Sequence, residues 1–485
     1  MKILLSLILS LSSFAFAADE PGFKSGYPDN DTVIQARNDQ VFQRAVQAYR
    51  FWYPTVSAEG IFNGFREQGL KDNESVAYLL SASPEALAFT ANMDTPYGVG
   101  TLDLKDGAMV IDMPPGPFIG VADDHHQNWI LDMGLPGPDA GKGGKHLILP
   151  PGYKGEIPAG YHVGRATSNK VLFVMRSVPQ NGDMKAAMER LKDIKIYPYA
   201  TASNPKLIKF VDFTNKKIDG TPLRWESNME YWTRLHKVID EEPILEEFKP
   251  MYGLLSALGI EKGKSFAPDN KMRSLLEQAA KEGRRQMLVS AFANWRPDRM
   301  VWKDRKWEWV GLVSDNGNFS TPSGMDLEAR DRWFMQAIVG SPAMFKRTEG
   351  AGSLYWLGLK DSKGEYLDGS KTYKLSVPMP VPARLFWSVT VYDNQTRSLI
   401  QTDQKLAALR SLVELEGSPT IGNVDLYFGP KQIAGKEGKW IKTIPGRGWF
   451  VYFRIYGPGE TAFKGQWKPG DFEEVKTTDQ TASNP

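Results

Sequence analysis

Between Asn38 and Trp52 (NDQVFQRAVQAYRFW) the apolar residues Val41, Ala45, Tyr49 and Trp52 recur at three- and four-residue spacing. That is the period of one helix face, and it predicts a helix that Pro54 ends. From about Leu87 to Arg176 the texture changes. GAMVIDMPPGPFIGV, HLILPPGYKG and KVLFVMRSV are short apolar runs cut by Gly and Pro. They predict strands of an antiparallel sheet or sandwich. Helical periodicity then returns over Met184–Lys192, Pro250–Ile260, Lys271–Trp295 and Leu327–Ile338, and in ESNMEYWTRLHKVI, where Met229, Trp232, Leu235 and Ile239 form one stripe. The last part of the chain is strand-rich: Leu385–Tyr392, Val424–Phe428 and Trp449–Tyr456, with a hairpin-like turn at KDSKGEY and a frayed polar end after Val475. Both ends should therefore be β-rich, with most of the helix between Met184 and Ile338.

Composition adds compartment. The first residues, MKILLSLILSLSSFAFAADE, set Lys2 before an apolar run from Ile3 to Phe16 and then Ala15-Phe16-Ala17. A charged start, a short hydrophobic segment and a small-x-small site read as a secretory signal over 1–17, cleaved before Ala18. The run falls short of the roughly 20 residues a bilayer needs, so no stable membrane insertion is expected after cleavage. The mature chain is expected in the periplasm or secreted. It has no cysteine, which excludes disulfides, thiolate nucleophiles, zinc–cysteine sites and iron–sulfur clusters. A net charge of +2 gives no field that would recruit nucleic acid or an anionic membrane. At 485 residues the chain is long enough for two or three domains.

Candidate chemistry is sparse. VADDHHQNW, Val121 to Trp129, holds two of the five histidines directly after two aspartates. As a strand it would put Asp123 with His125 on one face and Asp124 with His126 on the other. Each face then offers a carboxylate beside an imidazole, which suits an acid–base pair or, with Asp124 and His126, a divalent metal. The bland alternative is a polar turn at the end of a sheet. The loop GLPGPDAGKGGKH lacks the spacing of a phosphate-binding loop, and no G-x-S-x-G, H-E-x-x-H or EF-hand pattern occurs. Trp295, Trp302, Trp307 and Trp309 are either core or a sugar-stacking platform. In the strand around Arg454, Trp449, Val451, Phe453 and Ile455 share one face, and Phe450, Tyr452, Arg454 and Tyr456 the other. Both faces are largely apolar, so the strand should be central and Arg454 buried. A buried arginine needs a partner: either a carboxylate in a structural ion pair, with Asp393 and Asp425 the nearest motif candidates, or an anionic or sugar ligand that Arg454 orients with Tyr452 or Tyr456 beside it.

Asn92-Met93-Asp94-Thr95-Pro96-Tyr97, followed by Leu102-Asp103-Leu104 and Pro114-Pro115-Gly116-Pro117, resembles the bacterial domain of unknown function 1254. WSVTVYDNQTRS, DLYFG and GRGWFVYFRIYGP resemble domain of unknown function 1214, which commonly follows it. The resemblance implies a mainly β protein with helical segments (α+β): two antiparallel β-sandwich domains, the C-terminal one jelly-roll-like, joined by a helical region. On this sequence the parts are 38–180 with a leading helix, 181–345, and 346–476. The resemblance brings no catalytic residues with it and implies no shared role for His125 and His126. The catalytic candidates are Asp94, Tyr97, Asp123, Asp124 and Arg454; the ligand-binding candidates are Asn92, Trp129, Tyr392, Asp393 and Tyr456. Two functional readings stay open: an exported hydrolase working with carboxylates and a divalent metal, or a non-catalytic binding or assembly protein, able to form a homo-oligomer, for a carbohydrate or another small molecule.

Overall fold

The computed structural model describes residues 20–475, apart from 215, 220–223, 313–315, 348, 350 and 351. The leader, its cleavage site and the chain after 475 lie outside the described residues. The chain is mainly β with helical segments, in two sandwich-like halves.

The opening helix is longer than its sequence suggests. It spans Asn30–Glu67, capped by Asp29, which accepts from the Thr32 amide at 2.8 Å, and it runs straight past Pro54. Proline removes one helical donor and normally ends or kinks a helix. Here the carbonyls around it find donors from elsewhere in the fold: Tyr231 Oη to Tyr49 (2.7 Å), Arg330 Nη1 to Phe51 (2.6 Å) and Gln127 Nε2 to Pro54 itself (2.7 Å). Burial along the segment from Ala45 to Phe65 outweighs the local cost.

The N-terminal half has a six-stranded sheet in the order Lys209–Asp212, Ser75–Leu79, Tyr97–Asp103, Lys170–Ser177, Phe118–Asp124, Trp129–Gly134. A four-stranded sheet, Lys195–Pro198, Met109–Met113, Gly144–Leu149, Tyr161–Arg165, faces it. Each sheet is antiparallel except at one edge pair. The strand Lys170–Ser177 shows the period-two rule at work. Val171, Phe173 and Met175 fill the sandwich core, while Leu172, Val174 and Arg176 point from the opposite face.

The C-terminal half pairs a five-stranded sheet, in the order Trp307–Trp309, Ser353–Gly358, Trp449–Pro458, Ala383–Asp393, Ala408–Arg410, with a four-stranded one built on Gly422–Gly429 and Tyr373–Met379. Strand Trp449–Pro458 is central and all ten of its residues are buried, as its two apolar faces predict. The expected helices appear within a few residues as Met229–Glu241, Lys249–Ser256, Asn270–Phe292 and Leu327–Gln336. They are not a tether. Together with helix Asn30–Glu67 and the C-terminal sheets they form one continuous core, containing Tyr49, Trp52, Trp232, Met287, Trp356 and Phe453.

Candidate functional site

A cavity of about 400 Å3 lies between the outer face of the six-stranded sheet and the central strands of the C-terminal half. Its floor is apolar: Val99, Val121, Leu172 and Val174 come from adjacent strands of the first sheet, with Ile338 and Met344 closing the side. At one end the wall turns polar. Arg176, Tyr97 and Asn92 arrive from the N-terminal half, and Tyr355, Tyr452 and Arg454 from the C-terminal half.

Period-two alternation aims these side chains. Arg176 shares the outward face with Leu172 and Val174; Arg454 shares its face with Tyr452 and Tyr456. The segment Thr90–Tyr97 is wedged between them. Tyr456 Oη donates to Asp94 Oδ2 (3.1 Å) and accepts from Arg176 Nη2 (3.0 Å) and Asn92 Nδ2 (3.3 Å). Arg176 Nε donates to Thr95 Oγ1 (2.8 Å). Tyr392 Oη donates to the carbonyls of Thr90 (3.1 Å) and Ala91 (2.8 Å). Arg454 Nη2 donates to the Thr90 carbonyl at 2.9 Å, and its guanidinium lies 5.0 Å from the Tyr452 ring centre and 5.6 Å from those of Tyr355 and Tyr392.

Burial lifts the phenols of Tyr97, Tyr392, Tyr452 and Tyr456 above their ordinary range, so all four are neutral hydroxyls. Burial opposes the charge on Arg176 and Arg454, but the surrounding tyrosine oxygens and Asp94 outweigh it and hold both above the usual arginine value. Further along the cavity wall, burial pushes Asp132 up to about 7, against hydrogen bonds from Ser341, Trp129 and Ala343.

Six of the candidates from sequence therefore meet: Asn92, Asp94, Tyr97, Tyr392, Arg454 and Tyr456. Asp94, Tyr392 and Tyr456 stand behind the wall rather than on it. Tyr452 stands beside Arg454 on the wall, and Arg176, Tyr355, Asp132 and Thr90, which were not among the candidates, complete the site. Arg176 carries the same signal as Arg454, an arginine inside an apolar strand (KVLFVMRSV), and was open to the same argument.

The expected carboxylate partners of Arg454 are elsewhere. Strand register sets Ser388 and Tyr355 opposite Arg454 and pairs Asp393 with Trp449, five residues along. Asp393 instead caps its own turn at the amides of Gln395 (2.8 Å) and Thr396 (3.0 Å) and lies 2.9 Å from Arg447. Asp425 is in the other sheet, bonded to Ser376.

The VADDHHQNW stretch stands apart from the polar end. The strand stops at Asp124, and the chain turns through Gln127 at φ 57°, so the alternation expected for the histidines does not continue. Asp124 is fully used by the amides of His126, Asn128 and Thr167 and the Thr167 hydroxyl. Asp123 accepts from the Gly340 amide (2.7 Å), and burial pushes its carboxyl well above the usual range. Both imidazoles turn onto the long helix. His126 meets Thr55 Oγ1 (3.0 Å) and the edge of Trp52, and burial pushes it down to about 4. His125 sits between Glu242 Oε1 (3.2 Å) and Glu59 Oε2 (3.3 Å). Burial opposes its charge, but the two carboxylates outweigh it and raise its pKa. Among the described residues there is no group of three or more His, Asp or Glu side chains placed to hold a metal. Of Trp295, Trp302, Trp307 and Trp309, Trp302 and Trp307 are core residues, Trp309 is half-buried under Arg347 and Trp295 is 68% exposed, so the four do not assemble a platform. Trp129, 39% exposed, is not part of the cavity wall.

Residues 75–198 match the family model described as protein of unknown function (DUF1254), and residues 352–460 match protein of unknown function (DUF1214). The fold is similar to that of the VPA0106 protein from Vibrio parahaemolyticus, at 18% identity and a TM-score of 0.55, covering 90% of this chain and 100% of that one. An uncharacterized protein from Burkholderia cenocepacia aligns at 12% identity and a TM-score of 0.40, over 91% of this chain and 96% of its own. No curated protein matches.

Proposed function

We propose, from the premise that this chain pairs a DUF1254 segment with a DUF1214 segment in that order, that it is an exported binding protein whose small-molecule ligand occupies the cavity between the two halves. The observation that carries this reading is the cavity itself: about 400 Å3, walled mainly by apolar side chains, with a few convergent polar groups at one end. Size and composition are those of small-molecule sites. Both matched segments supply its wall, so the ligand would bind at their junction. An apolar floor suits a hydrocarbon or aryl body better than a carbohydrate, whose buried hydroxyls would each need a partner. Asp132 favours the hydrolytic reading as a second one, because a carboxyl near 7 on a cavity wall is poised to give or take a proton.

The test is a thermal-shift screen of apolar small molecules against the wild type and Val174→Phe, which fills the floor. A saturating ligand at about 100 times its Kd should stabilise the wild type by about 2.7 kcal/mol and leave Val174→Phe unmoved. Equal shifts in both proteins would remove the cavity as the site. Export rests on the leader alone. Mass spectrometry of protein recovered outside the cytoplasm should find Ala18 at the N-terminus; a membrane-bound form keeping Met1 would overturn export. Among the described residues no helix is long and apolar enough to cross a membrane.

A further inference from the structure

The polar end of the cavity does not balance its charge. Two guanidiniums, Arg176 and Arg454, face one carboxylate, Asp94, and that carboxylate is bound through Tyr456 on the Arg176 side. Arg454 is 3% exposed and lines the cavity, yet among the described residues it makes no ion pair, and its Nε and Nη1 have no hydrogen-bond partner. Arg332 is answered by Glu308 at 2.9 Å and Arg397 by Glu226. Arg330, which like Arg454 has a carbonyl and rings in place of a carboxylate, donates to Phe51 at 2.6 Å and leaves no buried nitrogen unbonded, whereas Arg454 leaves two. A buried cation with unused donors is costly, and the rings of Tyr355, Tyr392 and Tyr452 supply only part of what a counter-anion would.

We infer that the ligand is a carboxylic acid with an apolar body, its carboxylate docked on Arg454 beside Arg176 and its body lying over Val99, Leu172 and Val174. This rests on the cavity reading above and narrows it. Guanidinium N–H groups match a carboxylate in geometry as well as charge. At this end of the cavity, with Asp132 further along the wall and outside the cluster, the surplus is one positive charge, which a carboxylate cancels. A phosphate monoester, at about −1.5 to −2, would overshoot it inside a low-dielectric site. The floor beyond the arginines offers no donor or acceptor over Val99, Leu172 and Val174, so the body of the ligand must be hydrocarbon.

The experiment is calorimetric titration of the full chain at pH 8 with decanoate, decanol and decyl phosphate, in the wild type, Arg454→Met and Val174→Phe. Decanoate should bind the wild type about tenfold or more tighter than decanol, as expected for a charge-assisted hydrogen bond, and tighter than decyl phosphate. In Arg454→Met the preference for decanoate over decanol should vanish while decanol binding persists; in Val174→Phe both should be lost. Equal binding of decanol and decanoate to the wild type would overturn the carboxylate and leave the cavity reading standing. Tighter binding of decyl phosphate would also overturn the carboxylate. No binding of any of the three would remove this inference, while the cavity reading would fall only with the wider screen. The wild-type comparison decides even if Arg454→Met fails to fold.

Discussion

His125 is held more tightly than any position in a polar turn requires. Its ring lies between Glu242 and Glu59, and Glu59 is itself bound by Lys237 at 2.6 Å and approached by Arg66 at 3.8 Å. Burial opposes the charge of Glu59, but His125 and Lys237 outweigh it and bring its carboxyl down to about 2. The imidazolium therefore contributes stability that is complete below its ordinary value of 6.5 and is lost as pH rises through its raised value in the folded chain. Glu59 contributes in the opposite sense, above 4.5 and down to about 2. His125→Gln should cost about 3–5 kcal/mol at pH 6, because it leaves two buried carboxylates without their shared cation. The cost measured by urea unfolding should shrink at pH 9; a cost independent of pH would show that the ring is neutral in the folded protein. Sequence could flag this pair of histidines but not their partners. Glu59 lies on a helix 66 residues earlier and Glu242 117 residues later, and nothing in VADDHHQNW encodes either. Arg454 and Arg176 are the opposite case. An arginine inside an apolar strand is legible as a buried charge from seven or eight letters alone, whereas the identity of what answers it is not.

At the level of elements, local pattern located helices and strands well and failed where tertiary contacts override it. Pro54 is the plain instance: the letters stop the helix, and donors from Arg330, Gln127 and Tyr231 carry it on to Glu67. The segment Thr90–Tyr97 is another. Its motif was conspicuous in the sequence, but only the fold reveals that it is clamped between strands Lys170–Ser177 and Trp449–Pro458 through the Tyr456 hydroxyl. That oxygen serves Asp94, Arg176 and Asn92 together. Tyr456→Phe keeps the ring stacked on Phe386 and removes only the hydroxyl. It should destabilise the chain by about 1–3 kcal/mol, the cost of leaving buried polar groups unsatisfied. A change in chemical denaturation midpoint without a change in slope is the expected signature. An unchanged midpoint would mean that the segment is held by its backbone contacts alone.

Across the whole molecule, the two matched segments do not correspond to two separable bodies. Helix Asn30–Glu67 precedes the first segment, yet Tyr49, Trp52, Tyr53 and Val56 belong to the same core as Trp356, Val389 and Phe453 of the C-terminal sheet. Glu226 ties the layers electrostatically. It is 1% exposed, binds Arg284 from one helix and Arg397 from the C-terminal half, and accepts from Tyr53 on the first helix. A buried carboxylate held by two arginines is stable only while both remain in place. Removing residues 20–67 would therefore strip an apolar face from the C-terminal core, expose Trp225 and Trp232, and leave Glu226 and its arginines partly solvated. At roughly 25 cal/mol per Å2 of apolar surface, the loss of several fully buried aromatic side chains exceeds the 5–15 kcal/mol that stabilises a typical domain. The chain from residue 68 onward should fail to fold in both halves, giving insoluble protein or a non-cooperative thermal melt by circular dichroism. The same core shows what periodicity leaves out: it reports which face of an element is buried, while the partner of that face can lie far along the chain, as Tyr231 does from Tyr49, 182 residues apart. A truncated chain that melts cooperatively near the wild-type temperature would show that the first helix is an accessory layer and that the C-terminal sandwich carries its own core.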